Sequence, residues 1–243
     1  MQSQYKRVLL KLSGEALMGK ASYGICNDTM QFVSNEVKKL VDTGVQIGLV
    51  VGAGNIFRGV SGASQGMNRV SADNMGMLAT VMNSLALDNF FSQAGIKTRV
   101  LSSIPMPLVC ESYSRQQAVH HLDKGRVVIF AAGSSNPFFT TDTAAALRAI
   151  EIKADILLKA TKVEGVFSAD PKKVRNATQF RHISYSEVLA KELKVMDSTA
   201  ISLSKDNGLC IKIFNISGRG NIKKAITGCD IGTLINLKGE GDD

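Results

Sequence analysis

The sequence predicts an α/β protein in which a largely parallel β-sheet is covered by helices on both faces. Short runs of consecutive apolar residues alternate along the chain with longer segments whose apolar residues recur at helical spacing. The short runs lack the alternation of apolar and polar residues that a strand with one solvent-exposed face would show. Strands that are apolar throughout and separated by helices are typical of a parallel sheet that is buried on both faces.

Residues 1–160 form the first lobe and contain the regular part of this pattern. The predicted strands share a run of aliphatic residues and lie at 7–12, 45–51, 98–101, 126–130 and 154–159. The predicted helices lie between them, at 28–42, 70–93, 112–122 and 143–152. Asp28 is expected to cap the first helix, and Gly44 and Gly95 follow the first two helices as stop signals.

The pattern changes in residues 161–243, which we treat as the second lobe of a single domain that spans residues 1–243. Ser184 and Glu187 have the spacing of a capping box, which predicts a helix that continues to Leu193. A second helix is predicted over 198–207, and strands over 210–215 and 233–236. No linker rich in Pro or Ser separates the lobes, so one domain is predicted. In a parallel α/β sheet, functional sites are expected at the carboxyl ends of the strands.

Composition argues against several classes of protein. The chain has 243 residues, of which 44% are hydrophobic and 22 are glycine, so a packed core with many tight turns is expected. No apolar stretch approaches the roughly 20 residues of a membrane-spanning helix. The first residues lack the apolar region of a signal peptide, so a cytoplasmic protein is expected. The four cysteines lie far apart without a Cys-x-x-Cys pair, so neither a zinc site nor a disulfide is expected.

The net charge of +8 is compatible with either nucleic acid or a small anionic substrate. Most lysines and arginines are scattered, only 6% of the residues are aromatic and tryptophan is absent. The chain therefore lacks the basic and aromatic platform on which single strands stack, and a small anion is favoured. His120, His121 and His182 fall at positions that the pattern assigns to the surface, so catalysis by histidine is not expected.

The first glycine-containing loop follows the predicted strand 7–12 and partly matches a P-loop. Gly14, Gly19 and Lys20 have the spacing of that motif, but Ala21 stands where a Ser or Thr should bind magnesium. Lys20 is therefore interpreted as a solvated or regulatory lysine and not as a ligand of phosphate.

The second glycine-containing loop follows the predicted strand 45–51. Gly52 and Gly54 begin as in a dinucleotide-binding turn, but Phe57 occupies the position of the third glycine. Arg58 comes next, and its guanidinium can hold a phosphate through two parallel hydrogen bonds. The loop is therefore predicted to bind phosphate, although not that of NAD, and a purely structural turn is the alternative.

Two lysines and a polar loop predict phosphoryl transfer. Lys11 and Lys159 each end a buried strand, so their ammonium groups are expected to converge at the same edge of the sheet. The alternative is a lysine that extends to solvent at an edge. The hydroxyl-rich loop 133–142 connects a strand to a helix N-terminus, where backbone N–H groups favour an anion. Phosphoryl transfer passes through a charge-rich transition state that positioned cations and Mg²⁺ stabilise.

Four carboxylates are candidates for the interior of this site: Asp142, Asp155, Asp170 and Asp197. Asp142 follows two threonines and Asp197 precedes a predicted helix, so each has a second interpretation as a helix cap. The sequence alone does not separate the two interpretations.

Taken together, these segments resemble the bacterial uridylate kinases, which belong to the amino acid kinase family. The resemblance covers nearly the whole chain and rests on the segments 10–15, 54–59, 73–80, 136–142, 158–167 and 191–197. It implies an αβα sandwich of the amino acid kinase type that assembles as a homohexamer. It also implies transfer of the γ-phosphoryl group of ATP to UMP with Mg²⁺, in pyrimidine nucleotide biosynthesis. UMP and the phosphates would occupy lobe 1–160, and the ATP nucleoside mainly lobe 161–243.

The resemblance also implies roles for individual residues. Lys11 and Lys159 would neutralise the transferred phosphoryl group, and Asp142 and Asp197 would orient these lysines or the metal. Mg²⁺ would enter with ATP, without a set of protein metal ligands. The residues implied in binding ATP are Lys11, Leu12, Ser13, Gly14, Gly54, Arg58, Thr161, Phe167 and Asp170. Those implied in binding UMP are Ala53, Arg58, Asp73, Ser134, Ser135, Asn136, Pro137, Phe138, Phe139, Thr140 and Thr141.

Regulation is implied in the same way, because members of this family are activated by GTP and inhibited by UTP. The segment that corresponds to the GTP region consists of Gly19, Lys20, Ala21, Ser22, Tyr23 and Gly24. The run Lys20-Ala21-Ser22 departs from the family pattern, which leaves the response to GTP open.

Two further departures concern the backbone. Ala53 replaces a glycine and would be strained if that position needed a left-handed conformation. Ser134 and Ser135 replace a Thr-Gly pair, which keeps a hydroxyl at 134 but reduces conformational freedom at 135. Arg58 and Asp73 are expected to lie in polar loops.

The nearest alternative is another amino acid kinase, acting on a carboxylate or carbamate, and the next is a nucleic-acid-binding regulator. A carboxylate kinase needs an acid-binding pocket, whereas residues 138–141 offer flat apolar rings and hydroxyl groups, which suit a nucleoside. Phosphorylation of UMP is therefore the preferred prediction.

Overall fold

The computed structural model describes residues 3–239, apart from 65, 170–172, 175 and 194. Its strands are β1 Arg7–Leu12, β2 Gln46–Val51, β3 Thr98–Ser102, β4 Glu111–Ser112, β5 Val127–Ala131, β6 Ile156–Thr161, β7 His182–Ser184, β8 Ile211–Asn215 and β9 Thr233–Asn236. Its helices are α1 Asn27–Val41, α2 Gly59–Ser64, α3 Arg69–Gln93, α4 Arg115–Asp123, α5 Thr141–Glu151, α6 Tyr185–Ala190, α7 Ser198–Asp206 and α8 Asn221–Ile226. A 3₁₀ turn, Gly14–Met18, follows β1.

In the described residues these strands form one sheet in the order β4-β3-β5-β2-β1-β6-β8-β9-β7. Every neighbouring pair is parallel except β8 with β9, which confirms the predicted largely parallel sheet. β1 lies between β2 and β6, and Lys11 is paired in register with Lys159 of β6. Paired residues on neighbouring strands point to the same face of a sheet, so the register sets the two lysines side by side.

The sheet is buried on both faces because successive residues of its strands pack into different cores. In β1, Leu10 belongs to a core formed with α1, α3 and α8, whereas Leu9 belongs to a core formed with α4, α5, α6 and α7. Both side chains are fully buried. Lys11 has the same orientation as Leu9, so its side chain points to the face that α5 and α7 cover.

α1 does not begin as predicted. Its first residue is Asn27, and the N-cap position is Cys26, whose side chain accepts no capping hydrogen bond. Asp28 therefore lies in the first turn instead of capping the helix, and its carboxylate stabilises the helix by complementing the helix dipole. The helix ends at Val41, and Gly44 adopts the left-handed conformation of a stop signal, as predicted.

α4 and α6 are shorter than predicted. α4 begins at Arg115 instead of residue 112, because Glu111–Ser112 pairs with β3 as a short strand. The capping box at Ser184 is confirmed, but α6 ends at Ala190 because Glu192 adopts a left-handed φ of 49°.

The sequence pattern missed the short elements, namely the 3₁₀ turn, α2, β4, β7 and α8. None of them exceeds six residues, which is too few for a periodic pattern to be recognised. Elements of this length depend on tertiary packing, because an isolated turn of helix is unstable in water.

His121 is buried, contrary to the prediction that the histidines lie at the surface. Its Nε2 lies 3.0 Å from Glu111 Oε2, and its Nδ1 lies 2.9 Å from Arg126 Nη1. Arginine can only donate, so Nδ1 accepts and Nε2–H donates to the carboxylate. His121 therefore links α4 to the edge strand β4 and has a structural role.

Three further observations apply to the part of the chain that the structure describes. None of its helices is both long and apolar enough to span a membrane. All four cysteines are free thiols. No group of three or more His, Cys, Asp and Glu side chains in this part is placed to hold a metal ion.

Candidate active site

A cavity of about 560 Å³ lies at the carboxyl ends of the central strands. This is the edge at which ligands bind in open α/β sheets. Its wall comes mainly from the segments that follow β1, β2 and β5 and from one face of α3. It brings together these predicted site residues: Lys11, Ser13, Gly14, Ala53, Gly54, Arg58, Asp73, Ser134, Phe139, Thr140, Thr141, Asp142 and Asp197.

Three charged side chains form a buried cluster beside β1 and β6, which we call the lysine–aspartate centre. Lys11 Nζ lies 2.8 Å from Asp142 Oδ1, and Lys159 Nζ lies 2.7 Å from Asp142 Oδ2. The side chains are 9% exposed for Lys11, 12% for Lys159 and 14% for Asp142. The centre carries one net positive charge, which favours an anion in the cavity, and the carboxylate of Asp197 offsets part of this charge at Lys159.

Burial and charge act together on the pKa values of this centre. Burial alone would raise the pKa of Asp142, but the ammonium groups of Lys11 and Lys159 outweigh it and hold that pKa below the ordinary aspartate value. Burial lowers the pKa of Lys159 below the ordinary lysine value; Asp142 opposes this effect and Lys11 adds to it. Asp142 is therefore ionised at neutral pH, and Lys159 releases its proton more readily than a surface lysine.

The start of α5 fixes Asp142 in the centre. Thr140 is the N-cap residue, and its side chain accepts a hydrogen bond from Asp142 N at 3.0 Å. Asp197 caps α7 by accepting from Ala200 N at 2.8 Å. Its carboxylate also accepts from Thr143 Oγ1 at 2.7 Å and from the Thr140 hydroxyl. The cap interpretation is therefore right for Asp197 and wrong for Asp142, which lies in the first turn.

The turn after β2, residues 52–54, packs against the turn after β1, and we call it the glycine turn. A Cβ atom on Gly14 would lie 2.5 Å from Gly52 O, so only glycine fits at this close approach. Within the described part of the chain, the amide N–H groups of Ala53 and Gly54 have no acceptor. Both residues line the cavity, and unpaired N–H groups in a cavity wall favour a bound anion.

The backbone is not strained at Ala53, and left-handed residues lie instead in the loop after β5. Ala53 is not among the residues with positive φ, so the alanine is accommodated in an ordinary conformation. Ser135 and Phe138, in the loop after β5, have φ values of 60° and 73°. A left-handed residue other than glycine costs roughly 1–2 kcal/mol, so other contacts must hold this loop.

Arg58 lies at the mouth of the cavity and forms an ion pair with Glu15 of the 3₁₀ turn. A Cβ atom on Gly54 would lie 3.1 Å from Arg58 Nε, so the glycine leaves space for the guanidinium beside the turn. The Arg58 side chain is more than half exposed, and ion pairs at the surface are weak. Arg58 can therefore exchange Glu15 for a phosphate.

Asp73 connects α3 to the loop after β5, and the expectation that it lies in a loop is wrong. It lies within α3, because the helix already begins at Arg69. Asp73 Oδ2 accepts hydrogen bonds from Phe138 N and Arg69 Nε, each at 2.7 Å. Oδ1 accepts none from the described residues, and a Cβ atom on Gly59 would lie 2.2 Å from it. Glycine at 59 therefore lets Oδ1 lie close to the backbone without a clash, and Oδ1 is an unused acceptor of a residue that lines the cavity.

Comparison with known proteins identifies the family. The model of the amino acid kinase family matches residues 6–215, which include all elements from β1 to β8. The chain belongs to the amino acid kinase family. A curated uridylate kinase from Paramagnetospirillum magneticum is 53% identical over 233 residues, which are 96% of this chain and 97% of that protein.

Two solved structures have a similar fold. The UMP kinase from Bacillus anthracis is 41% identical with a TM-score of 0.93, and 96% of each chain is covered. The UMP kinase from Ureaplasma parvum is 34% identical with a TM-score of 0.90, over 97% of this chain and 100% of that chain. The predicted α/β class and the resemblance to the bacterial uridylate kinases are therefore confirmed, and the chain is a phosphotransferase.

Some residues to which the family resemblance gives a role do not line this cavity. Leu12 is fully buried, and Lys159 does not line the cavity itself but pairs with Asp142, which does. Thr161 and Phe167 lie beyond its wall, at the end of β6 and in the segment that follows. Asp170 lies outside the described residues.

The loop after β5 enters the cavity only in part. Ser134 and Phe139 line it, whereas the residues between them do not: Ser135, Asn136, Pro137 and Phe138. Asp155, the remaining carboxylate candidate, lies just before β6 at the opposite edge of the sheet. It accepts hydrogen bonds there from the backbone N–H groups of Lys6 and Arg7, at 2.7 and 2.9 Å. Asp155 therefore has a structural role.

The segment 19–24 also lies outside the cavity. Lys20 is exposed, and the residues before it form the 3₁₀ turn instead of a loop that surrounds a phosphate, so the interpretation against a P-loop is supported. Gly24 N donates to Asn55 O at 2.8 Å, and Asn55 Nδ2 donates to Gly24 O at 3.0 Å. The end of this segment is therefore attached to the residue that follows the glycine turn.

The sequence did not predict Glu15, Arg69 or Thr80, which also line the cavity. Arg69 stands four residues before Asp73, and this spacing on a helix could have suggested the ion pair. Glu15 pairs with a residue of another loop, and no local pattern reveals such a pair.

Proposed function

We propose that this protein transfers the γ-phosphoryl group of ATP to UMP, giving ADP and UDP, with Mg²⁺ and without a covalent intermediate. The observation that carries the proposal is the lysine–aspartate centre beside a cavity whose wall holds two unpaired N–H groups. Positioned cations and N–H groups stabilise the charge that phosphoryl transfer spreads over three oxygens. The similar proteins described above, a uridylate kinase and two UMP kinases, support UMP as the acceptor.

In the proposed step, a phosphate oxygen of UMP attacks the γ-phosphorus of ATP. The bond from that phosphorus to the β,γ-bridging oxygen breaks, and ADP leaves with the electron pair. Lys11 and Lys159 neutralise the charge on the transferred group, and Asp142 holds the two ammonium groups together. A phosphate monoester has a second pKa of about 6, so the attacking oxygen is already ionised at neutral pH and needs no general base.

The two substrates are proposed to occupy different parts of the site. ATP phosphates contact Lys11, Ser13, Gly14, Gly54 and Arg58, and the ATP nucleoside extends toward Thr161 and Phe167. UMP lies between the glycine turn at Ala53 and residues 134–141. The unused acceptor Oδ1 of Asp73 supports this arrangement, because it can accept a hydrogen bond from a ribose hydroxyl. Phe139 is half exposed in the cavity wall and offers a flat ring to the uracil.

Mg²⁺ fits this site as a companion of the ATP phosphates. Mg²⁺ keeps several waters and is usually bound through one or two carboxylates together with phosphate oxygens. Both oxygens of Asp142 already pair with Lys11 and Lys159, so Asp197, whose carboxylate also lines the cavity, is the residue that would hold the ion. When bound, the ion neutralises part of the charge on the phosphates.

We further propose a cytoplasmic homohexamer that GTP activates and UTP inhibits. Apolar side chains exposed along α3 support assembly, since Met75, Leu78 and Met82 are each more than 40% exposed. The bonds between Gly24 and Asn55 support the segment 19–24 as the GTP region, because they lead to the glycine turn. Light scattering on the purified protein should give the mass of six chains, and the mass of one chain would contradict the assembly.

An assay of ADP release with alternative acceptors tests the proposed reaction. We expect turnover with UMP to exceed that with CMP, carbamate and acetylglutamate, and to require Mg²⁺. Faster turnover of carbamate or acetylglutamate would favour the alternative member of the family. Equal turnover of CMP, or ADP release without Mg²⁺, would contradict the proposal as stated.

A further inference from the structure

Asn55 and Asn83 form a buried pair of amides behind the glycine turn. Asn55 is 1% exposed and Asn83 on α3 is 0% exposed. Asn83 Nδ2 donates to Asn55 Oδ1 at 2.7 Å, and Asn55 Nδ2 donates to Asn83 Oδ1 at 2.9 Å. Each amide therefore forms hydrogen bonds with one N–H group and with the carbonyl oxygen of the other amide.

The second donor of each amide binds a backbone carbonyl. Asn83 Nδ2 donates to Gly52 O at 2.8 Å, and Asn55 Nδ2 donates to Gly24 O at 3.0 Å. A carbonyl can only accept, so both amides have one permitted orientation and all four N–H donors are used. Another side chain at either position would leave a buried carbonyl or amide without its partner, which costs about 1–3 kcal/mol.

α3 holds both walls of the cavity through three of its residues. Asn83 holds Gly52 at the start of the glycine turn, and Thr80 Oγ1 accepts from Ala132 N at 2.9 Å, just before the loop that follows β5. Asp73 holds the same loop through Phe138 N. Asp73 and Asn83 are about 15 Å apart along the helix at 1.5 Å per residue, so one rigid element spans the site.

We propose that Asn83 and Asn55 are positioning residues for phosphoryl transfer. The amide pair fixes the glycine turn against α3, so the N–H groups of Ala53 and Gly54 keep their place relative to the lysine–aspartate centre. This inference rests on the proposed phosphotransfer at that centre, and it adds two residues that do not touch the substrates. Loss of either amide releases the turn, and a misplacement of about 1 Å in such a site lowers the rate about 10²-fold.

Steady-state kinetics of the full-length protein test the proposal with Asn83→Ala, Asn55→Ala and the double variant. Ser84→Ala is the matched control, because Ser84 is a fully buried neighbour on α3 whose hydroxyl donates only to Thr80 O in its own helix, at 2.8 Å. We expect each asparagine variant to lose about 10²-fold in kcat. The double variant should lose about as much as either single one, because residues that act as a unit are not additive. Ser84→Ala should keep its kcat within about twofold.

Thermal melting, measured on the same samples, separates positioning from stability. A lowered Tm with wild-type kcat per folded molecule in Asn83→Ala would overturn the proposal, and so would equal losses of kcat in Asn83→Ala and Ser84→Ala. If Asn83→Ala does not fold, Asn83→Ser decides, since its hydroxyl is too short to hold Gly52 O and it should lose kcat as well.

Binding of ATP distinguishes a failure of this proposal from a failure of the proposed reaction. If the wild-type protein turned over no UMP, the proposed reaction would be wrong, whereas the amide pair would still have to support the phosphate-binding turn. Equilibrium dialysis with ATP and Mg²⁺ should then show weaker binding by Asn83→Ala than by Ser84→Ala. Equal affinity of the two variants for ATP would contradict the positioning role.

Discussion

The two ends of the cavity are built in different ways. The lysine–aspartate centre lies on β1, on β6 and in the first turn of α5, and its side chains are almost fully buried. The loop after β5, at the other end, carries Phe138 and Phe139, which are 64% and 50% exposed, and Asp73 holds it from α3. The charges for phosphoryl transfer are therefore fixed by packed strands, whereas the groups proposed to recognise the acceptor lie on an exposed loop. Substitutions at the first end should change kcat, and those at the second should change KM for UMP.

The largest effect in this comparison is expected from substitution of Lys159. Lys159→Ala removes one preorganised cation and should lower kcat about 10²–10³-fold. The pKa of Lys159 is lowered by burial, so the wild-type protein should lose this cation, and with it kcat, at a lower pH than an ordinary lysine would. The arginine in Lys159→Arg stays protonated at alkaline pH, so this alkaline loss should disappear even if kcat is reduced.

Profiles of kcat against pH check this expectation. Lys124→Arg is the control, because Lys124 is exposed at the end of α4 and is not part of the cavity wall. Its profile should match that of the wild-type protein. An unchanged alkaline loss in Lys159→Arg would show that another group titrates.

A smaller effect is expected at the acceptor end, from Asp73→Asn. The amide oxygen should take the place of Oδ2 and keep the bond from Phe138 N, so the NH₂ group would face the ribose. Loss of an acceptor for the ribose hydroxyl should raise KM for UMP about tenfold with little change in kcat. Asp88→Asn is the control, since that carboxylate is on the same helix and accepts from Thr98. A wild-type KM in Asp73→Asn would exclude the ribose role.

The smallest effect concerns the stability of the exposed loop. Ser135→Gly removes a left-handed serine, a gain of roughly 1–2 kcal/mol, which the entropy of glycine reduces by about 0.5–1 kcal/mol. We therefore expect the free energy of unfolding in urea to rise by at most about 1.5 kcal/mol. Ser134→Gly should lower it, because Ser134 has no positive φ and its hydroxyl accepts from Asn136 N at 3.3 Å. A loss of stability in both variants would mean that Ser135 is not strained.

Much of the fold could be predicted because its long elements carry a local signal. The apolar run of β1 and the periodic pattern of α1 extend over enough residues to be recognised, and the bounds of both elements are accurate to one residue. The convergence of Lys11 and Lys159 could also be predicted, because parallel strands end at the same edge of a sheet. The short elements β4, β7, α2 and α8 could not, since their stability depends on neighbours that are distant in sequence.

The parts of the site that escaped prediction depend on partners from other elements. In the sequence, Asn83 is one polar residue within a long helix. Its role depends on Gly52 and Asn55, which only the fold places beside it. The sequence also could not show which residue has a strained backbone. Ala53 and Ser135 both stand where glycine was expected, and only the backbone shows that Ser135 is left-handed and Ala53 is not.

Turnover of Lys11→Ala and Lys20→Ala, at saturating ATP and UMP, tests the central claim most directly. Lys11 lies in the lysine–aspartate centre, whereas Lys20 is exposed and outside the cavity wall. We expect Lys11→Ala to lose at least about 10²–10³-fold in kcat, and Lys20→Ala to keep its basal turnover and change at most the response to GTP. An inactive Lys20→Ala beside an active Lys11→Ala would contradict the account, because phosphate would then be bound by a P-loop.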